Sequence, residues 1–433
     1  MLTGRAVVDA GGRGAGRYVA ILGRFEVLGG SMGAVHGEKV VRAYRRATLE
    51  RLPVVVVVSS GGARLQEGMV ALAQLARTSA AARHHAEAGL LSLAVLRPPS
   101  TGGVLASYAS LTDLRAAEPG ATIGFAGPRV VEVTTGEPPP SYSHTAASAH
   151  AVGLVDALVE RADQPRWVEI VLGGLDHRLP GRPLPAPDPE LEGGAADGSS
   201  AWHEVRRARA RSRPSGIDHA ARLCESWVEL RGADPTVRAG LARIRGRRLV
   251  VIAHDRHCGT GRPGPAGFRL ARRALALAER LGLVVLTLVD TPGAEPGPAA
   301  EADRIAGEIA DTFAAFAAAA VPTVSVCVGE GGSGGAYALA ACDRVLMLEH
   351  AIFGIISPEG AAAVLARDVS RAPDYAGALR LTAADLVRLG VADEVVPESD
   401  PAALDRLIGD ALESASAGER LRRLDTLTGR WLR

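Results

Sequence analysis

Lysine is nearly absent: Lys39 is the single lysine among 433 residues, and the other cations are arginine and histidine. A Walker A phosphate loop needs a lysine directly after its glycines, so that mode of ATP binding is excluded, and no other lysine is left for a Schiff base. Cysteine is scarce as well. Cys224, Cys258, Cys327 and Cys342 are scattered without C-x-x-C spacing, as expected of reduced intracellular thiols. Aromatics make up only 4%, so the core is built from Ala, Val and Leu within a 47% hydrophobic composition. Charge of one sign is lacking too: 49 basic and 48 acidic residues leave +1, which gives no general pull toward nucleic acid or a membrane surface. The longest apolar stretch, 313–328, is broken by Pro322 and is too short to span a bilayer. Residues 1–16 are glycine-rich and lack the apolar segment of a secretory signal, and a soluble cytoplasmic protein is expected.

The chain is organised around Val324-Ser325-Val326-Cys327-Val328-Gly329-Glu330-Gly331-Gly332-Ser333-Gly334-Gly335-Ala336-Tyr337. The β-branched run reads as a buried strand and the Ala-rich segment as a helix start, which puts the glycines where backbone N–H groups have no partner. Several readings compete: a dinucleotide turn on Gly329, Gly331 and Gly334, a nucleophile elbow around Ser333, an oxyanion hole of backbone amides, and glycines needed only for close strand–helix packing. An internal comparison separates them. Thr101-Gly102-Gly103 answers Ser333-Gly334-Gly335 at an offset of 232, and Ser60-Gly61-Gly62-Ala63-Arg64 answers Thr291-Pro292-Gly293-Ala294-Glu295 at 231. Residues 121–128 answer 351–358, and Gly153-Leu154-Val155-Asp156 answers Gly390-Val391-Ala392-Asp393. Four landmarks in one order predict a duplicated fold. Both copies share Gly-Gly, whereas the dinucleotide spacing and the serine occur in only one. His350 is the only histidine after Ser333, too near in sequence for a comfortable triad.

Strand, glycine turn and helix alternate with short connections, which predicts an α/β fold with much parallel pairing and ligands at the strand C-terminal ends. A helix after Gly33 pairs Glu38 with Arg42, 54–58 and 90–96 read as buried strands, and 66–88 reads as a helix. The second strand is expected to end at Pro98-Pro99 and the first Gly-Gly. Pro180, Pro183, Pro185, Pro187 and Pro189, then Gly193, Gly194 and Gly198, predict a solvated linker over 166–200 between domains 1–165 and 201–433. The Arg-rich segment 202–213 reads as a helix with either a solvated face or a patch for an anion. His254, His257 and Cys258 sit on one glycine-rich loop with no fourth ligand nearby, so a hydrogen-bonded loop is favoured over a metal site.

These landmarks resemble the carboxyltransferase component of bacterial acetyl-CoA carboxylase, beta-like half first and alpha-like half second. In the first half the matching residues are 29–33 with 37–39, 60–68 (SGGARLQEG), 101–107 and 118–130 (EPGATIGFAGPRV). In the second they are Trp202, Val205, Arg209, Arg213-Pro214 and Asp218, then 290–297 (DTPGAEPG), 329–336 (GEGGSGGA) and 356–360 (ISPEG). The resemblance implies two tandem crotonase-like domains and transfer of a carboxyl group from carboxybiotin to acetyl-CoA or a related acyl-CoA, giving malonyl-CoA. It implies that Gly102 and Gly103 present amides to the thioester enolate and Gly334 and Gly335 to the biotin ureido oxygen. Gly62, Ala63, Arg64, Gly293 and Gly332 would line the substrates. Biotin would arrive on a separate biotin carboxyl carrier protein loaded by a biotin carboxylase, and the chain would work as a homo-oligomer. The family's four-cysteine zinc ribbon is missing, because no cysteine precedes Cys224, so no metal is expected. Glu295 stands where the family usually has Tyr. Two alternatives remain beside this reading: a biotin-independent malonate decarboxylase fusion, and a catalytically degenerate assembly subunit.

Overall fold

The computed structural model describes residues 1–8, 16–192, 200–400 and 402–432; Gly193, Gly194 and Gly198 of the expected linker lie outside them. The chain divides into two compact units, Met1–His177 with Val228–Ala233, and Arg178–Trp227 with Asp234–Arg433. Among the described residues no helix is long and apolar enough to cross a membrane.

In the first unit, β1 (Leu2–Val8) and β2 (Gly16–Leu22) form an antiparallel pair, followed in the sheet by β3 (Val54–Ser60), β4 (Ser92–Thr101), β5 (Leu114–Ala117) and β7 (Ala157–Leu158), all parallel. The short β6 (Ile123–Gly124) pairs with the end of β4. Val54, Val56, Leu93 and Leu96 are wholly buried, as a β-branched parallel strand covered on both faces requires. Helix α1 (Ala34–Glu50) lays Val40, Tyr44 and Ala47 on that core, and Glu38 meets Arg42 at 2.7 Å. Helix α2 (Gly68–Glu87) follows the turn after β3. Strand β4 passes through Pro98-Pro99 and ends at Thr101, immediately before the first Gly-Gly. The β3–β4 register shifts between Val58 and Ser60, so the prolines fall in the irregular stretch and withhold no ladder N–H.

The second unit repeats this plan. β8 (Val237–Ile244) and β9 (Arg247–His254) are antiparallel; β10 (Val285–Thr291), β11 (Thr323–Gly332), β12 (Arg344–Leu348) and β14 (Glu394–Val396) follow in parallel, and β13 (Ile352–Gly354) pairs with the end of β11. Buried carboxylates recur with it. Asp113 accepts the N–H and hydroxyl of Ser92 (2.8 and 3.1 Å), and Asp343 accepts those of Thr323 (2.9 Å each). Asp156 accepts the N–H of Arg115 at 2.8 Å, and Asp393 that of Val345 at 2.6 Å. The duplication read from the sequence is thus present down to its hydrogen bonds, with one correction. Ser60 is in register with Ser100 and Thr291 with Gly331; Thr101 pairs with Gly124 and Gly332 with Gly354. One offset of 231 therefore serves both turns, and Gly102 corresponds to Ser333, not to Gly334.

Burial holds His219 and His254 neutral, with pKa values pushed down to about 4; His219 Nδ1 and His254 Nε2 have no hydrogen-bond partner among the described residues. The unfolded chain takes up a proton on each near pH 6.5, and the folded chain does not until near pH 4. Their contribution is therefore complete above about pH 6.5 and is lost as the pH falls toward 4, about 2 kcal/mol each by pH 5. The urea midpoint of the second unit should drop between pH 7 and pH 5. Equal midpoints would contradict neutral burial.

Candidate active site

At the exit of β4 the chain enters a short helix, α3 (Gly102–Val104), through Gly102 at φ +63°. Gly62, at φ +116°, closes on it from the turn after β3. A Cβ on Gly102 would stand 2.7 Å from Gly62 Cα, so neither position admits a side chain without moving backbone. The amide of Gly102 donates to Phe125 O at 2.8 Å, which corrects the expectation that it is free for a ligand. The free donors come next in the chain. Gly103 and Val104 lie in the first helical turn, where no intrahelical acceptor exists, and the amide of Ala63 has no acceptor among the described residues. Arg64 is turned inward. Its Nη1 meets Glu67 at 2.8 Å and its Nη2 the carbonyl of Ser31 at 2.9 Å, so it braces the turn and leaves no open charge.

The second unit builds the same corner from different residues. Gly293 (φ +127°) takes the place of Gly62, and Ser333 (φ +58°) that of Gly102, at the start of α6 (Ser333–Ala340), numbered after α4 (Pro265–Leu281) and α5 (Ile305–Ala318). A non-glycine residue in the left-handed region is uncommon, and it tightens the turn at the strand exit. Gly332 and Gly335 pack against backbone: a Cβ would lie 2.2 Å from Pro292 O at the first and 2.5 Å from Ala294 N at the second. Gly334 is different, since its Cβ would meet nothing nearer than a Phe313 ring carbon at 3.9 Å. The first-turn amides of Gly334 and Gly335 have no intrahelical acceptor, and that of Ala294 has none among the described residues. Glu295 is tied into its own loop, accepting from Thr260 Oγ1 at 3.1 Å and the N–H of Gly297 at 3.2 Å.

A cleft of roughly 520 Å³ opens beside this corner, lined among others by Arg209, Arg256, Arg262, Pro292, Glu330 and Ser333. Its floor is an ion network. Arg209 reaches Glu330 at 2.7 Å and Glu359 at 2.6 Å; Arg256 reaches Glu330 at 2.9 Å and Asp290 at 3.5 Å. Burial raises the pKa of Asp290, which the Arg256 charge opposes, and its Oδ1 accepts the N–H of Glu330 at 3.0 Å. The Arg-rich segment divides: its helix ends at Ala208, Arg206 and Arg211 stay exposed as on a solvated face, and Arg209 and Arg213 turn inward to Glu330 and Glu398. In the sequence Glu330 stands as one residue of a glycine string, and its charge beside the turn is the available signal. His254 accepts from the N–H of Asp290 at 3.2 Å, and His257 contacts the carbonyl of Arg213 at 2.9 Å. Among the described residues no group of three or more His, Cys, Asp or Glu could hold a metal ion.

Two family models divide the chain: a carboxyl transferase domain matches residues 2–188, and an acetyl co-enzyme A carboxylase carboxyltransferase-like domain matches 195–415. The acetyl-coenzyme A carboxylase carboxyl transferase subunits beta/alpha of Salinispora tropica are 45% identical over 409 residues, covering 89% of this chain and 72% of theirs. A probable biotin-dependent acyl-coenzyme A carboxylase beta3 subunit of Mycobacterium tuberculosis is 38% identical over 417 residues, covering 94% and 82%. In fold, the chain is similar to the transcarboxylase 12S hexamer solved with methylmalonyl-coenzyme A, at a TM-score of 0.78, 24% identity, and coverage of 95% of this chain and 81% of that one. The malonate decarboxylase alternative is not favoured. The chain belongs to the acetyl-coenzyme A carboxylase carboxyltransferase family, a biotin-dependent carboxyltransferase whose beta-like and alpha-like halves form two tandem crotonase-like domains in one polypeptide.

Proposed function

We propose that the beta-like half, residues 1–165, holds the thioester of acetyl-CoA or a related acyl-CoA, and that the alpha-like half, residues 201–433, holds the ureido ring of carboxybiotin. The observation that carries this is the repeated corner: a left-handed residue at one register, Gly102 and Ser333, each leading into first-turn amides without acceptors. Carboxybiotin on a separate biotin carboxyl carrier protein, loaded by a biotin carboxylase, supplies the carboxyl group. Its N–C bond breaks as a C–C bond forms to the acyl methyl carbon, whose proton passes to the ureido nitrogen. Negative charge gathers on two oxygens. Gly103, Val104 and Ala63 donate to the thioester oxygen, and Gly334, Gly335 and Ala294 to the ureido oxygen. Preorganised donors of this kind contribute on the order of 3 kcal/mol each.

Apolar side chains exposed near both corners support a homo-oligomer in which the corner of one protomer faces that of its partner: Leu65, Met69 and Phe125 in the first unit, Ile355 in the second. The testing experiment incubates the purified chain with carboxylated carrier protein and a series of acyl-CoA thioesters. Malonyl-CoA formed from acetyl-CoA supports the reading. No carboxylated product from any thioester returns the degenerate-subunit alternative.

A further inference from the structure

We propose that Arg262 is the counter-ion for the carboxylate carried into the second-unit cleft, a specificity-determining residue that grips the N-carboxylate of carboxybiotin through the transfer; this rests on the reading of that cleft as the biotin side. The argument begins with charge. Three guanidinium groups line the cleft, from Arg209, Arg256 and Arg262, against two carboxylates, Glu330 and Glu359. Arg209 is taken up by Glu330 and Glu359, and Arg256 by Glu330 with Asp290 behind it. Arg262 makes no ion pair among the described residues. Among those residues its side chain has one hydrogen bond, from Nη1 to Pro292 O at a long 3.4 Å. A half-buried guanidinium left with one weak acceptor retains most of its five donors for a planar anion such as a carboxylate.

Its position matches the chemistry. A Cβ placed on Gly293 would stand 3.3 Å from Gly332 O and 3.5 Å from Arg262 Nη1, so the tip of Arg262 lies over the turn that faces the residue capping α6. The loop behind it is braced. The backbone N–H of Arg262 donates to Thr260 Oγ1 (3.3 Å), which donates to Glu295 (3.1 Å); Glu295 N–H donates to Pro263 O (2.9 Å), and Thr291 Oγ1 to Gly261 O (2.8 Å). Glu295 thereby helps to fix the loop that carries Arg262. In the first unit the arginine at the turn, Arg64, is instead spent on Glu67 and Ser31.

The test compares wild type with Arg262→Gln and Arg262→Lys, after matching their thermal midpoints and assembly. In the forward direction, with carboxylated carrier protein varied at saturating acetyl-CoA, Arg262→Gln raises the carrier KM about tenfold and leaves kcat within about threefold. In the reverse direction, with malonyl-CoA and free biotin, the acceptor carries no carboxyl group, so the biotin KM stays unchanged and kcat falls by the same factor. Arg262→Lys restores most of the forward KM. An unchanged carrier KM in Arg262→Gln, or a rise confined to the acyl-CoA KM, overturns the assignment. Wild-type protein without carboxyl transfer would instead overturn the functional reading, before any variant is compared.

Discussion

Gly335→Val is expected to lower kcat of the reverse reaction, malonyl-CoA with biotin, by at least about three orders of magnitude in folded and assembled protein. The cause is backbone displacement. A Cβ at Gly335 would sit 2.5 Å from Ala294 N and 2.8 Å from Ala294 Cβ, so the start of α6 must swing away from the turn after β10. That movement misaligns the amides of Gly334, Gly335 and Ala294 together, and a preorganised oxyanion site loses its advantage when its donors no longer converge. Gly334→Ala is the matched control. Its Cβ would enter open space 3.9 Å from Phe313, and its rate should stay within about tenfold of wild type. A folded Gly335→Val with near-normal turnover would refute the role given to this corner.

Arg420→Ala should destabilise the second unit by about 3–5 kcal/mol, the cost of leaving a buried charge without its partner. The Arg420 side chain is 2% exposed and that of Asp343 0%, and they meet at 2.7 Å. Arg420 Nη2 also donates to Ala317 O and Ala319 O at 3.1 and 2.7 Å, tying the C-terminal helix Glu419–Trp431 to the end of α5. Asp343 in turn holds the first residue of β11 through Thr323, so one substitution loosens the strand that delivers the glycine turn. Urea unfolding at pH 7 measures the loss. A change below about 1 kcal/mol would show that the pair is not a structural tie.

The duplicated plan was legible because strand exits and helix ends both favour glycine: Gly62 with Gly293 after strands, and Gly153 with Gly390 after helices, hold matching positive φ angles in the two copies. The one-residue slip at the Gly-Gly pair has a physical reason. Aligning glycine with glycine assumes that only glycine takes the left-handed position, and the second copy uses Ser333 there. Gly102 was misjudged as a donor because its acceptor, Phe125 O, lies beyond the end of β6, and no local pattern reveals that contact. The ion network was hidden for a similar reason: Arg209 and Glu330 are 121 residues apart and meet only because the segment after the helix Ser200–Ala208 turns toward the C-terminal end of β11. Arg262 could be found only after the other cations in the cleft had been paired.

The central claim is that backbone amides, and no side-chain nucleophile, carry the chemistry at these corners. Its most direct test is kcat of Ser333→Ala in the reverse reaction, measured on folded, assembled protein beside wild type. Because the hydroxyl attacks nothing, the account predicts a kcat within about threefold of wild type. A nucleophilic serine would lose several orders of magnitude on the same substitution. A loss of that size in Ser333→Ala, with Gly335→Val near normal, would contradict the account.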